Sequence, residues 1–295
     1  MVINATGEAT PIPDASPCVK INAIPARQRN SIVSQSVLSV PAPCAAYFLK
    51  MMKPEPRDHL DSAIVVWMAQ VSQAHDSLPF LEPFLDLNDK QRAARFRFPE
   101  DRARFVLGRG LLRQCLGRYL GQIAATIKLA YTALGRPIFP QDQTIQFSMT
   151  HTHDLVAIAV TARAQVGIDL EYMQSPADLS ELAGRILSAE DFRIFQTLSS
   201  VEKIPAFYRA WTRKEAYLKA RGEGISEGLQ QVSVAFGPEE SAFVIDTRDE
   251  SATLKWRLHP LPALVNYLGS IACDNAQKRL DFHRVHLDKG EVILD

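Results

Sequence analysis

The residues most able to do chemistry lie in two short stretches. The first is Val166-Gly-Ile-Asp-Leu-Glu-Tyr172. On a strand, the period of two puts Gly167, Asp169 and Glu171 on one face and Val166, Ile168, Leu170 and Tyr172 on the other. Two neighbouring carboxylates repel each other, and a cation relieves that cost. Oxygen-only ligands suit Mg²⁺, which keeps several waters and takes phosphate oxygens. Gly167 leaves room on the same face. A solvated edge strand would carry the same pattern. The second stretch is Trp211-Thr-Arg-Lys-Glu-Ala-Tyr-Leu-Lys219. On a helix, Trp211, Glu215 and Lys219 fall at successive i, i+4 positions. Glu215 then completes the carboxylate site or serves as a base, and Lys214 and Lys219 reach phosphates. The plain alternative is a surface Glu215–Lys219 pair of little energetic consequence.

Further candidates surround these. Ser148-Met-Thr-His-Thr-His153 joins two strands. Its His-x-His pair lacks a third nitrogen or sulfur ligand at useful spacing for zinc. A loop histidine contacting a phosphate fits as well. Arg92, Arg104 and Arg136 are candidates for anion contacts. The arginine-rich stretch 92–118 reads equally as a solvated helix face with snorkelling stems. Gly222 and Gly224 follow a helix, not a strand, so they read as a helix stop and fail the dinucleotide fingerprint.

The elements that must position these residues follow from periodicity. A buried β-branched strand is expected from Ser62 to Val71. Asn88 and Asp89 are N-cap candidates for a helix through Arg92 and Arg95. A second helix follows Pro99 and stops at Gly121. A short strand near Ile127, a turn at Gly135-Arg136-Pro137 and strands at 145–147 and 155–160 come next. The Asp169 strand is followed by helices over 178–186, 189–198 (capped by Ser188) and 203–221. The tail reads as strands around 232–236, 242–246, 253–259 and 264–272. Strand, capped helix and long helix thus occur twice, roughly one hundred residues apart. Two similar α+β halves would leave a cleft between them. Strand-helix-helix order is also common by chance.

Composition sets the outer bounds. The chain has 295 residues, 46% hydrophobic and 22% charged, with formal net charge +0. That suits a globular core and gives no overall pull toward nucleic acid or an anionic membrane. Four dispersed cysteines and no CxxC pair argue against a metal or redox cluster and fit a reducing, cytoplasmic setting. No secretory signal and no membrane-spanning run is expected. Residues 1–56 hold eight of the 18 prolines and read as a largely disordered extension. The boundaries expected from this are 57–162 for the first half and 163–295 for the second, which carries the metal site.

Gly167-Ile-Asp-Leu-Glu171, followed some forty residues on by Trp211-Thr-Arg-Lys-Glu-Ala with Lys219, resembles the paired signature of the 4′-phosphopantetheinyl transferases. The resemblance is to the larger, surfactin-synthetase-activating type, and covers about residues 60–285. Gly135-Arg-Pro137 and Thr150-His151 resemble that family's Gly-Lys-Pro turn and Ser-His loop. The resemblance implies a pseudo-twofold monomer of two α+β halves with coenzyme A in the cleft. It implies transfer of 4′-phosphopantetheine to a serine of an apo acyl or peptidyl carrier protein. On matching positions, Asp169, Glu171 and Glu215 are the expected Mg²⁺ carboxylates, and Glu215 and Lys219 the expected catalytic groups. Lys214 and Lys219 match phosphate-facing lysines. His151, Thr150, Arg104, Arg136 and Arg92 match positions around coenzyme A. Arg136 and Arg92 stand where lysine is usual, and an arginine fork binds phosphate differently from an ammonium. A non-catalytic carrier- or nucleotide-binding module is the other class the sequence leaves open.

Overall fold

β1 (Ala63–Gln70) is buried on both faces except at Gln70, as its unbroken apolar run requires. The computed structural model describes residues 56–223, 228–237, 242–288 and 291–295, all within one compact unit. The expected extension 1–56 lies outside these residues but for Pro56, and so does Gly224. After β1 come α1 (Leu87–Ala93), α2 (Pro99–Leu120), a ribbon of β2 (Ala130–Tyr131) with β3 (Pro137–Ile138), and the hairpin of β4 (Ile145–Thr152) and β5 (Leu155–Ala162). The second set opens with β6 (Val166–Tyr172), then α3 (Leu179–Ile186), α4 (Ala189–Thr197) and α5 (Ser200–Arg221). A ribbon of β7 (Val232–Val234) and β8 (Val244–Asp246) follows, then β9 (Arg257–Pro260) and β10 (Tyr267–Cys273). The chain closes with β11 (Arg279–Asp288) and β12 (Glu291–Leu294).

The expected α+β duplication is visible in the pairing. In the first half, β5 pairs antiparallel with both β1 and β4, giving the order β1-β5-β4. In the second half, β10 pairs antiparallel with both β6 and β9, giving β6-β10-β9. Each half sends its helices between its first strand and its later paired strands: of those named above, two in the first half and three in the second.

The halves are not cut cleanly at residue 163. β11 pairs in parallel with β1, and β12 with β11, so the tail completes the first sheet. The boundary expected at 163–295 is therefore corrected at its far end. The reason is that β11 is half-exposed with mixed residues, while its partner β1 lies far away in sequence. Residues 252–255 form a helical turn, not the start of a strand. The strand expected near Ile127 begins later, after a turn at Ala124–Thr126.

The cap of α1 also differs. Asp86, not Asn88 or Asp89, accepts the Asp89 N–H at 2.8 Å. Asp89 turns inward, 1% exposed, to meet Arg113 at 2.7 Å, while the Tyr131 hydroxyl donates to it at 2.9 Å. Arg109 and Arg113 on α2 are buried, so these two are not snorkelling surface arginines. The expected stops hold: Gly121 and Gly222 both adopt left-handed φ, of 61° and 74°.

A core shared by the halves fixes the register of β6. Val166, Ile168 and Leu170 pack with Ile64, Val66 and Met68 of β1. Burying each such side chain contributes about 1.5–3 kcal/mol. A slip of one residue would drive Asp169 into that core, so the acidic face is committed to the other side.

Candidate metal and phosphate site

On that other side lies α5. A Cβ on Gly167 would sit 1.9 Å from the Ala216 carbonyl oxygen and 2.6 Å from the Ala220 nitrogen. Only glycine lets the helix backbone approach so closely. This contact excludes the solvated-edge reading of β6 and brings Glu215 and Lys219 over Asp169. The Lys219 Nζ donates to Asp169 Oδ1 at 2.5 Å. Asp169 and Glu215 are each only 3% exposed. Asp169 Oδ2 and Glu215 Oε1 are buried with no hydrogen-bond partner.

From the first half, alternate hydroxyls of β4 reach across to β6. Ser148 Oγ accepts the Ile168 N–H at 3.2 Å. Thr150 Oγ1 donates to Asp169 Oδ1 at 3.1 Å, and Thr152 Oγ1 to Glu171 Oε2 at 3.1 Å. Sequence reasoning singled out Thr150 but passed over Ser148 and Thr152. Their alternation, Ser-x-Thr-x-Thr along a strand, was the available signal. The Trp211 indole also reaches Glu171, a role its place in the helix motif had not suggested.

The electrostatics follow from burial. Desolvation, then the charge of Asp169, raises the Glu171 carboxyl well above its usual range, against the opposing pull of Thr152 and Lys219. Desolvation and Asp169 likewise raise Glu215, with Lys219 opposing and Glu171 adding. Burial alone would lower Lys219, but Asp169 and Glu215 outweigh it and hold the ammonium charged. His151 keeps an exposed edge. Partial enclosure, then Arg104 and Lys219, push its imidazole down, so it is neutral at pH 7.

Two buried carboxylates, each with an unsatisfied oxygen, and a third half-buried beside them want a cation. Among the described residues no three His, Cys, Asp or Glu side chains are drawn into a ready cage. A hard ion that completes its shell with waters and phosphate oxygens needs no such cage, and the all-oxygen donor set suits it. The two unpartnered oxygens are where such an ion would find ligands.

The remaining candidates divide. Arg136 donates to the Ala220 carbonyl at 3.3 Å and the Phe147 carbonyl at 3.5 Å, so it bridges the Gly135 turn and the end of α5. Arg104 donates to the His153 carbonyl at 2.7 Å and pairs with Asp101, beside the β4–β5 turn. His151 thus lies close enough to Arg104 and Lys219 to feel both charges, while Arg136 contacts the residue after Lys219. Arg92 is exposed, and its guanidinium stands 5.4 Å over the ring of Phe105, next to Arg104 in sequence. His153 stacks on Tyr172 at 4.4 Å, so the His-x-His pair does not converge on a zinc site.

Lys214 corrects the expectation of a phosphate-facing lysine. Its side chain is 0% exposed, and Nζ donates to the Ile186 and Leu229 carbonyls at 3.0 Å each. Asp191, 3.4 Å away, is its ion-pair partner. The residue after Lys214 faces β6, and one step of the helix turns Lys214 toward α3 and α4 instead. Burial, partly offset by Asp191, pushes its amine down to about 8.

Comparisons with known proteins agree with this geometry. A model of the 4′-phosphopantetheinyl transferase superfamily matches residues 165–273, and one of the N-terminal part of a 4′-phosphopantetheinyl transferase matches 67–163. Neither match includes β11 and β12. The 4′-phosphopantetheinyl transferase HetI of Nostoc sp. is 37% identical over 193 residues, which is 64% of this chain and 81% of HetI. A phosphopantetheinyl transferase of Thraustochytrium sp. is 29% identical over 260 residues, 79% of this chain and 90% of that one. The 4′-phosphopantetheinyl transferase psf-1 of Bacillus pumilus is 30% identical over 192 residues, 65% of this chain and 77% of that one. Matches across both halves, joined to a buried carboxylate site at their seam, show that the chain belongs to the 4′-phosphopantetheinyl transferase superfamily.

Proposed function

We propose that this protein transfers the 4′-phosphopantetheine arm of coenzyme A onto a serine of an apo carrier protein and releases 3′,5′-ADP. The observation that carries this reading is the buried pair of Asp169 and Glu215, with the half-buried Lys219 on Asp169 and two carboxylate oxygens free to take a cation. Asp169, Glu171 and Glu215 would hold Mg²⁺. When bound, the ion neutralises charge on the phosphate oxygens. The serine oxygen bonds to the β-phosphorus, and the bond to the oxygen of the departing adenosine 5′-phosphate breaks. Lys219 faces the negative charge that develops there. Glu215, in the ionised form that a bound cation would favour, takes the serine proton directly or through water. Arg136, Arg104 and His151 line the place for the coenzyme A phosphates, with Thr150 at its floor.

The surfactin-synthetase-activating type is the subtype this reading favours, because both halves lie in one chain. A complete site within one chain supports a monomer. Cys115 and Cys273 are buried and unpaired, which suits the cytoplasm. No described helix is long and apolar enough to cross a membrane.

The test is chromatographic. Incubated with coenzyme A, Mg²⁺ and an apo carrier, the protein should release 3′,5′-ADP in step with carrier consumed. It should release none when the carrier serine is replaced by alanine. Release that ignores the serine would mean hydrolysis and would overturn the reading.

A further inference from the structure

Glu171 is the least enclosed of the three carboxylates, and it lies near the exposed end of β6. A glutamate there has rotamer freedom that Asp169, gripped by Thr150 and Lys219, lacks. The Trp211 indole supplies one hold on Glu171 from the second half, and Thr152 supplies the other from the first. A threonine hydroxyl has a single proton to donate. The Tyr172 N–H lies 3.4 Å from Thr152 Oγ1 and donates into it, which leaves that proton to be directed at Glu171 Oε2, 3.1 Å away. The same hydroxyl therefore reads both the backbone of β6 and the carboxylate beside it. Thr152 itself is fixed by pairing with Leu155 across the β4–β5 hairpin.

We infer that Thr152 is a positioning residue of the metal site: its hydroxyl, supplied by the first half of the molecule, holds Glu171 of the second half in the orientation that binds the ion. This rests on the metal reading above. It makes the interface between the halves part of the site, since separating β4 from β6 would remove this hold on Glu171 and leave only Trp211, without touching a ligand.

The test is direct binding of Mn²⁺ to the whole protein, followed by electron paramagnetic resonance without substrate. Thr152→Val keeps the shape and removes the hydroxyl; it should weaken Mn²⁺ binding about tenfold or more, the scale for a ligand's hydrogen-bond partner. Thr152→Ser restores the hydroxyl and should restore affinity. Thr161→Val is the control. Thr161 is also buried, but its hydroxyl serves the Ala63 carbonyl at 2.8 Å, away from the site. It should leave Mn²⁺ affinity unchanged. Wild-type affinity in Thr152→Val would overturn the inference, as would equal weakening in Thr152→Ser or Thr161→Val. If the wild type itself fails to bind Mn²⁺, and Asp169→Ala does not differ from it, the metal reading fails first and this inference with it.

Discussion

Adjacent residues on α5 have opposite fates. Glu215 faces β6, whereas Lys214 is tied to the Ile186 and Leu229 carbonyls and to Asp191. Replacing Lys214 by methionine leaves Asp191 buried without its partner, a loss on the scale of about 3–5 kcal/mol. Lys214→Met should therefore lower the thermal midpoint strongly while leaving the Michaelis constant for coenzyme A near the wild-type value. A raised Michaelis constant with intact stability would return Lys214 to the phosphates. The raised carboxyls make a second prediction at this scale. Glu171 and Glu215 keep protons in the folded chain that they would lose once unfolded. The folded state binds more protons, so stability is fully present below the ordinary glutamate pKa of 4.5 and is lost as pH rises toward about 8. With divalent metal chelated, the thermal midpoint should fall across that window, and Glu215→Gln should flatten the slope. A midpoint that rises with pH, or an unchanged slope in Glu215→Gln, would contradict the assignment.

Between elements, the decisive contact is β6 against α5. Gly167→Ala places a methyl where the Ala216 carbonyl already stands, and backbone atoms cannot give way as side chains do. We expect a loss of about 3 kcal/mol, the upper range for overpacking. Mn²⁺ binding should weaken in the folded fraction, because Glu215 and Lys219 move away from Asp169. Unchanged metal affinity in a folded Gly167→Ala protein would show that the close approach is not what aligns the site. Much of this contact was legible in the sequence. Strict alternation in Val166–Tyr172 placed the carboxylates on the face of Gly167, and the i, i+4 spacing placed Glu215 with Lys219. The hydroxyls of Ser148 and Thr152 were not legible as site residues, because their partners on β6 become neighbours only when the halves meet. The inward turn of Asp89 was hidden for a like reason: its partners Arg109 and Arg113 lie on the next helix.

Over the whole molecule, two copies of one topology meet along β4 and β6, and the chain returns through β11 to close the first sheet. The repeat was readable because each long helix carries its own stop glycine, Gly121 and Gly222, although the Ser199 cap that starts the second one earlier than 203 was not singled out. The return of the tail was not, since Arg279–Asp288 alternates only weakly between polar and apolar residues. On the proposed reading, the ligands for one cation lie on the second half and two of their hydrogen-bond partners, Thr150 and Thr152, on the first, so transfer would require both. The most direct test is the intact mass of a purified apo carrier protein after incubation with coenzyme A, Mg²⁺ and this protein, alongside a folded Asp169→Ala variant. The carrier should gain the mass of one phosphopantetheine with the wild type and none with Asp169→Ala. A carrier unchanged by the wild type across acyl and peptidyl types, or modified equally by Asp169→Ala, would contradict the account.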